Sequence, residues 1–306
     1  MKSKKIIALS LGMALASITA FAQVTVGFKT SPQDKEAIIK PEDMAALKQS
    51  TTVFILPADV ESSDVKVYEQ IFKEVWTFTP YKVITDEQIG KYSGKPGYSY
   101  ITIGGITMSG QNYSFTLCFY ELQMLNGKKN NKVFAQINIP SKFCTDSKSK
   151  TMVPINMLPG YLKVYLAIWN NCLSNGVYLK NKDDYTDKEL FKNLENETLW
   201  IPDENLSYIS NWGGKTKTYS DDEFFKKYPY PHKVATGKEI SDEIMSSSKP
   251  VYFMGPTVNI YGHKVISIYS SKSNMPVFYD VETHQELSPS DMKYVAKQIE
   301  KAGRGK

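Results

Sequence analysis

The sequence predicts an α/β fold with some α+β character, built from two tandem similar modules that are each a mixed β-sheet packed with helices. A decapeptide at residues 80–89, PYKVITDEQI, returns at residues 231–240 as PHKVATGKEI, with five identical positions. The flanking patterns repeat in the same order, as strand, helix, strand, helix, three strands and helix. Helices placed between and after strands must cover a sheet face, which favours a mixed sheet with packed helices.

The first 22 residues have the three parts of a secretory signal peptide. Lys2, Lys4 and Lys5 precede an apolar run that ends in the small-residue pattern AFA, which predicts cleavage between Ala22 and Gln23. No Cys stands at the cleavage point, so no lipid anchor is expected. We therefore expect an exported chain, soluble in the periplasm or outside the cell.

Charge and hydropathy argue against nucleic-acid binding and against a membrane-spanning helix. Without the signal segment, 34 basic and 32 acidic residues remain, and no basic block stands out, so nucleic acid is not an expected partner. No later stretch approaches the roughly 20 apolar residues that a membrane-spanning helix needs. We expect no membrane span.

The first half begins with an arm and short helix at 23–50, and its α/β module is predicted at 51–180. Pro41 opens the short helix, and Thr85 with Gln88 forms a capping box after the repeated strand. A strongly apolar helix follows Pro159. Strands are predicted at 51–56, 81–84, 98–106, 113–123 and 133–139, with a helix at 64–76.

The second half repeats this order after a polar linker predicted at 181–195, and its module is predicted at 196–306. Capping boxes at Ser220 and Thr236 mark two helix starts, and Ser288 opens the last helix. Strands are predicted at 198–201, 250–254, 263–269 and 276–281. The two capping boxes that follow the decapeptide copies mark the same strand-to-helix corner.

A pattern of strands and glycines in the first half resembles a hairpin of periplasmic α/β modules. It covers the stretches 100–106, YITIGGI, 113–117, YSFTL, and 121–127, ELQMLNG. This pattern is similar to that of the TolB amino-terminal domain and the CsgG and LpoB lipoproteins, in which a corner like that at 83–89 precedes a strand ending in Gly. The chain also resembles uncharacterised exported proteins of Bacteroidetes-type bacteria. The resemblance implies a non-enzymatic envelope module that binds other proteins.

The three cysteines favour packing over chemistry. Cys118 lies in an apolar strand pattern and Cys172 follows an apolar helix pattern, as expected of small core residues. One disulfide, between Cys144 and Cys172, remains an alternative in an exported protein.

The sequence contains no recognisable catalytic, cofactor or metal motif. His232, His263 and His284 lack metal-ligand spacing, and the GGKT at 213–216 has Ile209 where a phosphate-binding loop needs Gly. The acidic pair Asp221 and Asp222 fits a helix first turn better than a catalytic dyad. We expect no catalytic residue, no cofactor and no metal.

Four aromatic residues are candidates for binding. Trp212, Tyr219, Tyr228 and Tyr230 fall in or near loops with Gly and Pro, where aromatic rings stack on sugars or anchor protein interfaces. The favoured hypothesis is an exported envelope protein that binds protein partners. The alternatives are a glycan or small-ligand binder that uses these aromatics, and a hydrolase whose site is assembled from scattered carboxylates and tyrosines.

Overall fold

The computed structural model describes most of the chain from residue 24 onward. It covers residues 24–26, 40–56, 65–109, 114–126, 130–139, 158–177, 186–209, 216–255, 264–282 and 287–304. The signal segment, Cys144 and Trp212 lie outside these ranges.

In its described residues, the first half contains the strands of one sheet and three α-helices. The strands are β1 (Val24–Val26), β2 (Thr51–Leu56), β3 (Tyr81–Thr85), β4 (Tyr98–Ser109), β5 (Ser114–Asn126) and β6 (Asn130–Ile139). The helices are α1 (Pro41–Gln49), α2 (Val65–Val75) and α3 (Pro159–Asn175), and a 3-10 helix spans Asp86–Lys91. Pro at the first turn opens both α1 and α3, as the missing N–H of Pro allows.

The second half contains a second sheet, a short hairpin and four helices within the described residues. The sheet strands are β7 (Leu199–Pro202), β10 (His232–Ala235), β11 (Tyr252–Met254), β12 (Lys264–Ser270) and β13 (Phe278–Glu282), and the hairpin is β8 (Ser207–Ile209) with β9 (Thr216–Thr218). The helices are α4 (Lys188–Lys192), α5 (Asp221–Phe225), α6 (Gly237–Ser246) and α7 (Pro289–Gly303).

The two sheets have the same strand order and the same strand directions, which confirms the predicted α/β fold of two similar modules. The first runs β1-β6-β5-β4-β2-β3 and the second runs β13-β12-β11-β7-β10. In each, one strand lies between two parallel neighbours, and two antiparallel strands extend the sheet. The first sheet differs by the added antiparallel strand β1.

The strand register gives the residue-by-residue correspondence. Thr52 lies between Tyr81 and Ser99 in the first sheet, and the same position in the second sheet is taken by Leu199. The chemistry at this position differs between the modules. The Thr52 hydroxyl hydrogen-bonds to the hydroxyls of Thr79 (2.5 Å) and Ser99 (2.9 Å) in a buried chain of polar groups. Leu199 instead packs in an apolar core.

The two Thr corners agree in backbone path but differ in helix type. Thr236 accepts a hydrogen bond from the Glu239 N–H, and the Glu239 carboxylate accepts one from the Thr236 N–H, as predicted. At Thr85 the predicted capping box is wrong, because a 3-10 helix follows and no side chain caps it. Burial explains the difference, since helices depend on packing more than on propensity: Ile240 is 0% exposed, whereas its counterpart Ile89 is 36% exposed.

Helix α3 joins the two modules. It packs beside α2 and α6, and it shares one hydrophobic cluster with residues of both sheets. The ring of Tyr161 lies edge-on to Phe253 at 5.0 Å, and Tyr165 lies edge-on to Tyr269 at 5.5 Å. A helix that is apolar on nearly every side is stable only when it is buried on nearly every side. The last helix of the first module therefore also covers a face of the second sheet.

Helix α7 is the counterpart of α3 but has only one apolar face. Met292, Val295 and Ile299 are buried against the second sheet, whereas Lys293 and Lys297 are exposed. This pattern was predicted from the spacing of the apolar residues. Because its outer face is charged and exposed, α7 forms an outer layer of the second module.

Part of the predicted linker 181–195 is folded. Residues 186–195 contain α4 and a 3-10 turn, and Phe191 and Leu194 are buried in the core of the second sheet. Phe191 stacks on Phe278 at 4.5 Å. The polar composition that suggested a linker reflects the outward face of α4, while these two apolar residues hold it against the sheet.

The Cys172 thiol is free and fully buried, so the alternative disulfide with Cys144 is not formed here. Its sulfur lies 3.9 Å from that of Met275. Burial raises the pKa of Cys172 to about 12, which keeps the thiol protonated and unreactive. Cys172 is thus a packing residue, as the sequence suggested.

Candidate functional site

Strand β10 is the last strand of the second sheet. Its hydrogen bonds with β7 determine which of its residues turn their main-chain groups outward, and we call this alternation the phase of the strand. The N–H of Leu199 donates to the carbonyl of Pro231 (3.1 Å), and His232 is the register partner of Leu199. In a parallel pair, a residue bonds to the two residues that flank its partner, so Lys233 turns its main-chain groups toward β7. The N–H and C=O groups of His232 and Val234 therefore point away from β7, toward the open edge.

Strand β3 ends the first sheet in the same phase. The N–H of Thr52 donates to the carbonyl of Pro80 (2.8 Å), and Tyr81 is the register partner of Thr52. The main-chain groups of Lys82 accordingly face β2, while those of Tyr81 and Val83 face outward. Within the described part of the chain, β3 and β10 have no strand on their outer side. We call these two strands the open edges.

The identical residues of the decapeptide serve this edge geometry. Pro80 and Pro231 contribute only a carbonyl acceptor, which is all that the neighbouring strand requires. Lys82 and Lys233 are exposed at the centre of each edge. A lysine on an edge strand disfavours pairing with other sheets, and this is a common protection of such edges.

An aromatic residue of the preceding helix supports the first outward residue of each edge. The imidazole of His232 stacks on Phe225, with ring centroids 4.0 Å apart. The ring of Tyr81 packs on Phe72 in a tilted arrangement, with ring centroids 5.4 Å apart. The edge residue is thus held by packing in both modules, although its identity changes from Tyr to His.

Hydrogen bonding orients His232 further. Its Nδ1 lies 2.9 Å from the carbonyl oxygen of Tyr230, and a carbonyl only accepts, so we assign the proton to Nδ1. Tyr228 borders the imidazole edge-on at 5.8 Å. His232 is exposed, so in the neutral tautomer its Nε2 is an acceptor at the surface.

The four predicted aromatic residues do not form one exposed platform. Tyr219 and Tyr228 are buried in the core of the second sheet, and Tyr230 is half-buried beside His232. Trp212 lies outside the described residues. Their role in binding stays a prediction. The sequence analysis did not single out His232 or Phe225, although His232 lies in the second decapeptide copy and Phe225 in the short helix before it.

Charged groups surround the Tyr230 hydroxyl. Partial burial, followed by the carboxylates of Glu195 and Glu300, raises the pKa of Tyr230, while Arg304 acts in the opposite direction. Arg304 and Glu300 form an exposed ion pair. Gly303 lies directly against Glu195, because an added Cβ would be 2.4 Å from its Oε1. This polar group borders the open edge on the side of α7.

The opposite face of β10 presents a cation. The Lys233 ammonium lies 4.0 Å from the centroid of the Trp200 ring, in a cation–π contact. Hydrogen bonds from Thr236 lower the pKa of Glu239, and Lys233 adds a smaller electrostatic contribution. The edge therefore has an aromatic and histidine face and a lysine face.

The comparisons with known proteins give no relative to reason from. No protein-family model, no curated protein and no solved structure matches the chain.

Among the described residues, no three His, Cys, Asp or Glu side chains are grouped so that they could hold a metal ion. None of the helices in the described ranges is long and apolar enough to cross a membrane. The candidate site consists of the outward main-chain groups of the open edges and the side chains beside them, which suits the binding of an extended chain.

Proposed function

We infer that this chain is an exported protein of the cell envelope that acts by binding other proteins along its open edges. The observation that carries the inference is the common phase of β3 and β10. In both strands, two residues direct main-chain donors and acceptors away from the sheet, beside a packed aromatic support. An extended segment of a partner adds to such an edge as a further strand. The signal-like amino terminus supports export.

The glycan alternative has less support. Sugar-binding aromatics need an exposed ring face, and the rings of Tyr219 and Tyr228 are buried. Tyr230 and Trp212 remain as candidates. A glycan array with residues 23–306 is expected to give no signal, and a reproducible hit lost in Tyr230→Ala would favour this alternative.

Proline substitution tests the edge directly. Val83→Pro and Val234→Pro remove the outward N–H of each edge together with the valine side chain, and an edge strand tolerates proline at such a position. Immobilised residues 23–306 are cross-linked with a bacterial envelope extract, and captured proteins are identified by mass spectrometry. We expect partners that are captured by the unchanged protein and lost with the double Pro variant.

The Val83→Thr and Val234→Thr double variant also loses both valine side chains but keeps both N–H groups, so its difference from the Pro variant separates the effect of proline in the main chain from the loss of valine. Melting temperatures of both variants verify the fold. Capture that is equal with and without the prolines, or no reproducible capture at micromolar protein, would refute binding at the open edges.

A further inference from the structure

We propose that β3 and β10 are two copies of one strand-addition site that recognises an extended segment with an acidic residue between two apolar residues. The proposal rests on the proposed protein-binding function and specifies the partner. Its basis is the repeated order of side chains along the two edges, which is Tyr81, Lys82 and Val83 in one and His232, Lys233 and Val234 in the other.

The central lysine sets the charge of the partner. Lys82 and Lys233 are exposed, and neither forms an ion pair with a carboxylate of the described residues, although the Lys233 ammonium lies over the Trp200 ring. Side chains directly opposite each other on adjacent strands lie on the same face, about 4.5–5.5 Å apart at Cβ. An added strand therefore places one residue beside each lysine, where a carboxylate is attracted and an ammonium is repelled.

The residues that flank each lysine determine which side chains the partner should carry on the opposite face of the added strand. Val83 and Val234 are half-buried at the rim of their cores, and His232 is stacked on Phe225. Residues that precede and follow the acidic one in the added strand would extend this apolar and aromatic surface. Apolar or aromatic side chains at those two positions bury the most area.

The same lysines disfavour a second copy of the chain as the occupant. In the antiparallel register that pairs the outward residues, His232 of one copy would bond with Val234 of the other. That register places Lys233 opposite the same lysine of the second copy, and like charges directly opposite are destabilising. The equivalent register at β3 opposes two copies of Lys82.

A pair of matched peptides tests the proposal. Two synthetic nonapeptides of alternating Thr and Val, labelled with a fluorophore, differ only in the central residue, which is Glu in one and Lys in the other. Fluorescence anisotropy with residues 23–306 is expected to show roughly tenfold tighter binding of the Glu peptide at low ionic strength. The preference should shrink as salt is added.

Charge reversal provides the decisive variant, because both lysines are exposed, and melting temperatures verify the fold. In Lys82→Glu with Lys233→Glu the preference is expected to invert in favour of the Lys peptide. Each single variant should retain one site of the original preference. The double Pro variant described above should lose both peptides.

The outcomes separate this proposal from the proposed function. Equal affinity for the two peptides, or no binding of either at millimolar concentration, overturns the acidic-segment proposal, while Pro-sensitive capture from the envelope extract would still support protein binding. A dimer of the unchanged protein at micromolar concentration that dissociates on Pro substitution would show that the edges pair with a second copy, and would also overturn it.

Discussion

The main-chain N–H of Gly160 donates to the side-chain hydroxyl of Ser241 across 2.9 Å, at the closest approach between helices α3 and α6. Gly160 lies in the first turn of α3, where main-chain N–H groups have no partner within the helix, and Leu158 at the N-cap provides no side-chain acceptor. Ser241 thus caps a helix that belongs to the other half of the chain. This contact couples the two modules by a hydrogen bond and by the absence of a side chain.

Gly160→Ala should lower the free energy of unfolding by about 1–3 kcal/mol, because the added Cβ would lie 2.4 Å from the main-chain oxygen of Ser241. The helices must move apart, since a main-chain atom cannot rotate away. Urea denaturation measures the change. Gly90→Ala is the matched control, because nothing lies within 4 Å of its added Cβ and its φ is not positive, so it should be neutral or slightly stabilising. Equal effects of the two substitutions would contradict the close approach.

Removing a hydroxyl should have opposite effects at two tyrosines. The Tyr165 hydroxyl is buried without a hydrogen-bond partner within the described residues, whereas the Tyr100 hydroxyl donates to the carbonyl of Tyr92 at 2.8 Å. Tyr165→Phe should leave the free energy of unfolding unchanged or raise it by up to about 1–3 kcal/mol, since an unpaired buried hydroxyl is unfavourable. Tyr100→Phe should lower it by about 0.5–1.5 kcal/mol. Thermal and urea unfolding of both variants measure the sign, and a loss at Tyr165 as large as that at Tyr100 would speak against the unpaired hydroxyl.

A buried ion pair anchors α7 to the second sheet. The Lys264 ammonium lies 2.6 Å from Asp291 Oδ1, and the other carboxylate oxygen accepts from the Ser288 N–H at 2.7 Å. Asp291→Ala should lower the free energy of unfolding by about 3–5 kcal/mol, because it removes the carboxylate of a buried ion pair.

The exposed ion pair of Glu300 and Arg304 on the same helix is the control. Glu300→Ala should change stability by less than about 1 kcal/mol, because water and salt already weaken an exposed pair. Urea denaturation at low and at high salt compares the two variants. A loss at Asp291 no larger than that at Glu300 would show that the buried pair is not a stability determinant.

Much of the fold could be predicted because burial follows periodicity. The apolar spacing in α7 places Met292, Val295 and Ile299 on one face, and all three are buried. The decapeptide located two equivalent strands because its identical residues serve an edge geometry that both modules share. Such patterns report local conformation and one buried face, and these were sufficient for the α/β modules and their order.

The position of α3 could not be predicted, because an apolar pattern on every side shows that a helix is buried but not what covers it. The 3-10 helix after Thr85 was also unpredictable, since the sequence resembles that at Thr236 and only tertiary burial of Ile240 separates them. The open edges needed the register as well. The main-chain phase of β10 depends on the hydrogen bond from Leu199 to Pro231, which no side-chain pattern encodes.

Alkaline pH should destabilise the protein, beginning with Cys172. Burial raises the pKa of this thiol to about 12, whereas a thiol in the unfolded chain has a pKa near 8.5. A raised folded pKa stabilises the native state fully below the unfolded pKa, and the contribution is lost as pH rises toward the folded value. The free energy of unfolding should therefore be level up to about pH 8.5 and then fall by roughly 1.4 kcal/mol per pH unit for this group.

Above about pH 10 the decline should steepen, because burial also raises the pKa of several core tyrosines well above the range of an exposed phenol. These are Tyr120, Tyr161, Tyr165, Tyr228 and Tyr269. Urea denaturation at pH steps from 7 to 11 measures both phases. Cys172→Ala should lower the whole curve, since it leaves a cavity, but should flatten the part between pH 9 and 10 by roughly 1.4 kcal/mol per unit. An unchanged slope in that interval would mean that the thiol does not titrate differently in the folded and unfolded chains.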